Sequence, residues 1–323
     1  MSIYSAIQSA INSRAPAIAL TLALTATAAA AAPAPVRELG PGMIGTYYPP
    51  AKVGGPVTIV IGGSEGGYAG AARMAKDLAD EGLGALAISY FRSPGQPQTL
   101  EEVPLETITR AVDWLQARPE VAGRRVGLVG VSKGGEAGLI VASLDKRVCA
   151  VVAAVPSSVA WAGYDPVRNL PSAKSSWTWQ GKPLGHAAYD YSGLAKGGIR
   201  GAYEGGLKLA PADAVIRVEK IAGPVLLISG RQDRLWPSTP MSEAVMARLD
   251  AAHFPHEHQH LAYDTGHLAL GKPAVVTGPV NPQMFAMAGG TLEDTQAARA
   301  DNWPKAVAFL SKNLTGKGCA PLR

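Results

Sequence analysis

Ser132, Asp233 and His267 are the residues of this sequence whose types and order suit covalent chemistry. Ser132 lies in Gly130-Val131-Ser132-Lys133-Gly134, a G-x-S-x-G pattern. An apolar run, Val126 to Gly130, precedes it, and a stretch with helical apolar spacing, Gly135 to Leu144, follows. A strand turning sharply into a helix thrusts such a serine out of the sheet, and glycines on either side let the two elements approach closely. The Lys133 amide would open that helix, where a developing oxyanion is stabilised. Asp233 comes just past the apolar run Pro224 to Ser229, where an acid can orient a histidine. His267 follows the run His258 to Tyr263 in a glycine-containing turn. Each residue has a plainer reading: a structural turn, a helix cap or loop carboxylate, a loop histidine. Together, each behind a predicted strand, they suit a nucleophile, an orienting acid and a general base. Asp264 is a rival acid, but its closeness to His267 in the sequence suits a solvated turn.

The elements needed to position these residues are legible as alternating strands and helices. Val57 to Ile61 reads as a strand, residues 70–81 as a helix with Ala72, Met74, Ala75 and Leu78 inward, and Ala85 to Tyr90 as a strand. Residues 101–117 read as a helix, Val148 to Val155 as a strand, and roughly Leu292 to Leu314 as a last helix. Apolar strands alternating with helices imply an α/β fold, a mostly parallel sheet with helices on both faces. Ligands bind such sheets at the carboxyl ends of the strands. There Gly62-Gly63-Ser64-Glu65-Gly66-Gly67 would supply a second oxyanion donor, the Ser64 amide first and Glu65 second. The same loop also suits a tight turn or anion nest; lacking a Lys-Ser/Thr sequel, it is not a P-loop. Residues from about 157 to 215 form a long insertion expected to be a cap or lid. Its aromatics, among them Trp161, Trp177, Tyr189 and Tyr203, either line an acyl pocket or pack the cap onto the sheet.

Composition excludes other classes. The 323 residues are 47% hydrophobic and 17% charged, and the net charge of +5 is spread along the chain without basic runs. That argues against a nucleic-acid partner. His256, His258 and His260 alternate as metal ligands on a strand can, but no matching Cys or carboxylate cluster accompanies them, so no metal is expected. Residues 1–32 have the layout of a signal peptide: Arg14, then an apolar core too short to span a bilayer comfortably, then small residues with several A-x-A sites. The expectation is an exported protein, periplasmic or secreted, with no stable membrane insertion after cleavage. The mature part, 33–323, reads as one domain. Cys149 reads as a buried strand residue and Cys319 as part of a tail, which favours two unpaired thiols over a bridge.

Several stretches together resemble a known family. They are the elbow with Lys133, Pro156-Ser157-Ser158-Val159, Ser176-Trp177-Thr178 with Gly181-Lys182-Pro183-Leu184, Ile228-Ser229-Gly230 through Trp236-Pro237-Ser238, Gly289-Gly290-Thr291 and Trp303-Pro304. From about Val57 to Leu314 the chain resembles the C-terminal domain of the acyl-CoA thioesterase/bile-acid-CoA:amino-acid N-acyltransferase family. The resemblance implies an α/β-hydrolase fold, dienelactone-hydrolase-like, with a catalytic triad of Ser132, Asp233 and His267. Eukaryotic members carry an N-terminal β-sandwich domain, for which little sequence precedes the first strand here. Conjugating members use cysteine as nucleophile and hydrolytic ones commonly serine, so Ser132 favours transfer to water. Export makes coenzyme A, a cytoplasmic metabolite, an awkward substrate. The expectation is a serine hydrolase acting on a small-molecule carboxylic ester or acyl thioester without a cofactor. An N-acyltransferase and a non-catalytic binding protein are the alternatives.

Overall fold

A computed structural model of the chain describes residues 34–37, 39–165, 168, 170–273, 282–315 and 319–321. The expected signal peptide, 1–32, lies outside the described residues. In chain order the elements are β1 (Gly45–Tyr48), β2 (Val57–Ile61), α1 (Ala69–Asp80), β3 (Gly84–Ile88), β4 (Val103–Pro104), α2 (Glu106–Gln116), β5 (Val126–Val131), α3 (Lys133–Leu144) and β6 (Val148–Ala154). Then come β7 (Ala162–Asp165), β8 (Leu170–Ser175), β9 (Trp177–Trp179), β10 (Lys182–Pro183), α4 (Tyr191–Lys208), β11 (Val225–Gly230), α5 (Ser238–Ala251), β12 (His258–Tyr263), α6 (Pro282–Ala288) and α7 (Leu292–Thr315).

Among the described residues seven strands form the main sheet, in the order β1-β3-β2-β5-β6-β11-β12. Every neighbouring pair is parallel except β1 with β3. The central strands are apolar on both faces: β2, β3, β6 and β11 are buried along their whole lengths. That continuous burial is what a sheet covered by helices on both sides requires. The chain turns from β2 to one side, into β3, and later to the other, into β5. The crevice between the carboxyl ends of β2 and β5 is therefore the switch point of the sheet, the usual place for a ligand.

Several expectations shift in detail. The antiparallel edge strand β1 has no counterpart in the sequence reading. On α1 the fully buried positions are Ala71, Ala75 and Leu78, with Ala72 and Met74 only half-buried. The helix expected over 101–117 begins at Glu106, because Val103–Pro104 is extended and pairs with Trp177–Thr178 of β9. Proline holds its predecessor out of the helical region, so the chain is committed to β geometry before the helix begins. The insertion is a mixed cap: β7 and β8 form a hairpin, β9 and β10 join β4, and α4 breaks at Gly197–Gly198.

The cysteine expectation is overturned. Cys149 and Cys319 form a disulfide, their Cα atoms 5.5 Å apart. Cys149 stands near the start of β6, and Cys319 lies at the adjacent end of β5, where Arg125 donates its amide to the Cys319 carbonyl at 3.3 Å. Both residues are buried in the same core cluster as Trp303 and Leu310 of α7. Linear sequence conceals that return. Among the described residues no helix is long and apolar enough to cross a membrane.

Candidate active site

Ser132 sits between β5 and α3 with φ 56° and ψ −121°. A side-chain-bearing residue is rarely found there, and holding it costs about 1–3 kcal/mol. The surroundings enforce it. The Ser132 amide donates to Ala154 of β6 at 2.9 Å, and its carbonyl accepts from Glu136 at 3.0 Å to start the helix. A Cβ on Gly130 would collide with the Gly134 carbonyl, and one on Gly134 with the Gly62 carbonyl. The two glycines of the motif are thus required by backbone packed against backbone, on the strand side and on the Gly62 loop.

Asp233 and His267 come together from the loops after β11 and β12. The His267 Nδ1–H donates to Asp233 Oδ2 at 2.8 Å. A carboxylate can only accept, so the proton is on Nδ1 and Nε2 is left as the basic nitrogen. Asp233 is fully buried, and its other oxygen accepts the amides of Leu235 at 2.9 Å and Trp236 at 3.3 Å. The Ala288 carbonyl, just before Gly289-Gly290, accepts from both the His267 amide (2.8 Å) and the Arg234 amide (3.3 Å), which ties the two loops together. Trp236 packs edge-on to the imidazole at 6.0 Å. Asp264, the rival acid, instead forms an exposed ion pair with Arg231.

Ser132 and His267 line one cavity of about 410 Å³ together with Trp236 and cap residues including Tyr189, Leu194, Ile199 and Tyr203. Ser64 and Lys133 reach the same wall. Lys133 opens α3, so its amide has no acceptor within the helix. The Glu65 carboxylate accepts the Gly63 amide at 3.0 Å, folding the loop on itself. The cap aromatics divide between their two expected tasks. Trp161 and Trp177 are wholly buried as packing, while Tyr189 and Tyr203 face the cavity.

Sequence reasoning missed a buried group beneath the elbow. The Lys133 ammonium, 2% exposed, contacts both Glu136 oxygens at 3.1 and 3.0 Å and Ser176 Oγ at 2.9 Å. Glu136 Oε1 also accepts the Trp161 amide at 3.0 Å and the Trp177 indole N–H at 2.6 Å. Burial pushes the Lys133 ammonium down and the Glu136 carboxyl up from their ordinary values, each opposed by its partner. Tyr90, whose ring packs on Trp177, donates to the Gly62 and Gly63 carbonyls at 2.9 and 2.8 Å. One cluster therefore joins α3, the glycine loop and the cap. The only sequence signal was that Lys133 and Ser176-Trp177 both fell in the stretches carrying the family resemblance.

Among the described residues no group of three His, Cys, Asp or Glu side chains could hold a metal. His258 turns to Asp250 and His260 to Ser229.

The comparisons agree with this architecture. Residues 103–316 match the family described as BAAT / Acyl-CoA thioester hydrolase C terminal. The chain belongs to this family. It is 30% identical over 288 residues to human acyl-coenzyme A thioesterase 6, covering 86% of this chain and 65% of that one. It is 29% identical to the mitochondrial acyl-coenzyme A thioesterase 2 of Rattus norvegicus, covering 74% of this chain and 52% of the relative. The chain thus spans only about half to two-thirds of these relatives. Among solved structures, a puromycin-hydrolyzing peptidase of Mycobacterium tuberculosis superposes with a TM-score of 0.54 at 17% identity, over 90% of this chain and 41% of the other. That likeness concerns the fold, which is the α/β-hydrolase fold.

Proposed function

We propose that this family member is a serine hydrolase that cleaves an acyl thioester or carboxylic ester through an acyl-enzyme. The observation that carries the reading is His267, sharing a cavity with Ser132 and bonded through Nδ1 to the buried Asp233. His267 Nε2 takes the Ser132 proton as Oγ attacks the carbonyl, and Asp233 stabilises the imidazolium. The Lys133 and Ser64 amides hold the oxyanion, fixed donors that need no reorganisation. His267 then protonates the leaving alcohol or thiol, and water repeats the sequence to release the acid. The aromatic and aliphatic cavity under the cap takes the acyl chain. The names of the relatives, acyl-coenzyme A thioesterases, support a thioester. Export is part of the proposal, supported by the Cys149–Cys319 bridge, since such bonds persist in oxidising compartments. N-terminal sequencing of protein recovered outside the cytoplasm should begin near residue 32; an intact Met1 would reject export.

The test compares p-nitrophenyl acyl esters with acyl-CoA thioesters, using Ser132→Ala as control. The variant should lose at least about 10³-fold in kcat and no longer react with a fluorophosphonate, because a triad without its nucleophile retains only binding and oxyanion stabilisation. Activity surviving in Ser132→Ala would reject the mechanism. Diversion of the acyl group to added amino acids would convert the reading to an N-acyltransferase.

A further inference from the structure

Ser132 and His267 also border a second chamber, about 530 Å³, on the other side of the nucleophile. The two chambers meet at Ser64, Ser132, Tyr164, Leu235 and His267. Their chemistry differs. The chamber under the cap has one charged lining residue, Lys133, already bound to Glu136 and Ser176. The second is lined by Glu65, Arg92 and Arg299 over an apolar floor of Met74 and Leu270. Glu65 is occupied with the Gly63 amide, and Arg92 reaches across to the Glu65 carbonyl at 2.9 Å.

Arg299, on α7, is the unusual member. Its Nε–H donates to the Leu268 carbonyl at 3.0 Å, which anchors the guanidinium beside the turn that bears His267. Burial lowers its pKa from the ordinary value, and no neighbouring carboxylate offsets that effect. Among the described residues neither it nor Arg92 makes a salt bridge, but Arg92 is exposed whereas Arg299 is half-buried. A half-buried guanidinium without a counter-charge is costly, and the cost falls when an anion fills the space beside it.

An acyl carbonyl attacked by Ser132 carries two substituents that diverge from the reacting carbon. With the acyl chain in the apolar chamber, the departing group faces the charged one. We propose that the second chamber is a leaving-group subsite in which Arg299 receives an anionic substituent, a carboxylate or a phosphate, of the departing alcohol or thiol. This rests on Ser132 being the nucleophile.

The experiment uses the full chain and two matched pairs of butyryl thioesters. The first pair is 5-thio-2-nitrobenzoate, which carries a carboxylate, against neutral 4-nitrothiophenol. The second is phosphopantetheine against pantetheine, differing by a phosphate farther from the sulfur. Wild type should favour the charged member of at least one pair by about ten-fold in kcat/KM, chiefly through KM, the size expected of one charge-assisted hydrogen bond. Arg299→Gln should bring that ratio to about one while sparing the neutral thioester, and Arg299→Lys should restore part of it. Preference in the first pair identifies a nearby carboxylate, and in the second a distal phosphate. No preference in wild type overturns the proposal. So does a parallel loss on both members with the ratio kept, which would make Arg299 only a brace for the His267 turn. Should neither these thioesters nor p-nitrophenyl esters be hydrolysed, the hydrolase reading fails by itself, and calorimetry with 2-nitrobenzoate and nitrobenzene on Ser132→Ala decides the subsite. Binding of the anion that disappears on adding Arg299→Gln supports it; equal affinity overturns it.

Discussion

Glu136 is the residue on which the site's geometry converges. Its carboxylate is fully buried and receives the Lys133 ammonium, the Trp161 amide and the Trp177 indole. Two of those donors come from the cap and one from the residue after Ser132. Breaking a buried pair leaves the other charge uncompensated, typically at about 3–5 kcal/mol. Glu136→Ala should lose that much stability in urea unfolding. Lys133→Met with Glu136→Leu should lose less than the sum of the single changes, because the pair disappears together. Strict additivity would show that the two charges do not depend on each other. That Ser132, Asp233 and His267 come together was legible because each follows a strand whose carboxyl end opens on the same crevice. The Lys133 side chain was not, because a motif position specifies a backbone amide and says nothing of the ion pair with Glu136 or of the cap partner Ser176, 43 residues away.

At the scale of elements, the β-strands were the best-read part, since apolar runs bounded by turn residues have few alternatives. β2 and β12 match their expected limits, whereas α2 starts late because Pro104 and a cap strand claim its first residues. Pairing with a distant strand is not written in the local pattern. The same applies to the segment returning from the cap to β11, which is fastened by Glu219. Its carboxylate accepts from Arg248 of α5 at 2.5 and 2.9 Å and from Arg217 at 2.6 Å. The Arg248 hydrogen bonds hold its pKa down from the ordinary 4.5 to about 2. A depressed carboxyl pKa stabilises the fold above the unfolded value and stops doing so as pH falls through the folded one. Wild type should therefore exceed Glu219→Gln in stability above pH 4.5, and the difference should shrink as pH approaches 2. A difference independent of pH would mean that the ion pair contributes nothing and that glutamine changes packing instead.

At the scale of the whole molecule, the sheet separates two kinds of dependence. Ser132, the Gly62 loop and the Asp233 and His267 turns stand at the carboxyl ends of the strands. The Cys149–Cys319 bridge stands near the start of β6, toward the opposite end, and closes a separation of 170 residues. A bridge of that span restricts the unfolded chain strongly, and its loss from a native domain typically costs about 2–5 kcal/mol. Native packing around it is extensive in its own right: Cys149 and Cys319 lie in one cluster with Val152, Leu226, Trp303 and Leu310. Cutting the bridge should therefore lower Tm while leaving ester kcat/KM at 25 °C unchanged, since the strands that hold Ser132 and His267 remain in register. Cys149→Ser with Cys319→Ser, and separately wild type in dithiothreitol, test this. The doubly substituted protein should no longer respond to the reductant. An unchanged Tm would argue that the thiols are unpaired in solution and would remove the structural support for export. A fall in kcat/KM with Tm would instead mean that the two ends of the sheet are coupled, with Cys319 steadying Ser132 through β6 and the Ala154 carbonyl that accepts the Ser132 amide.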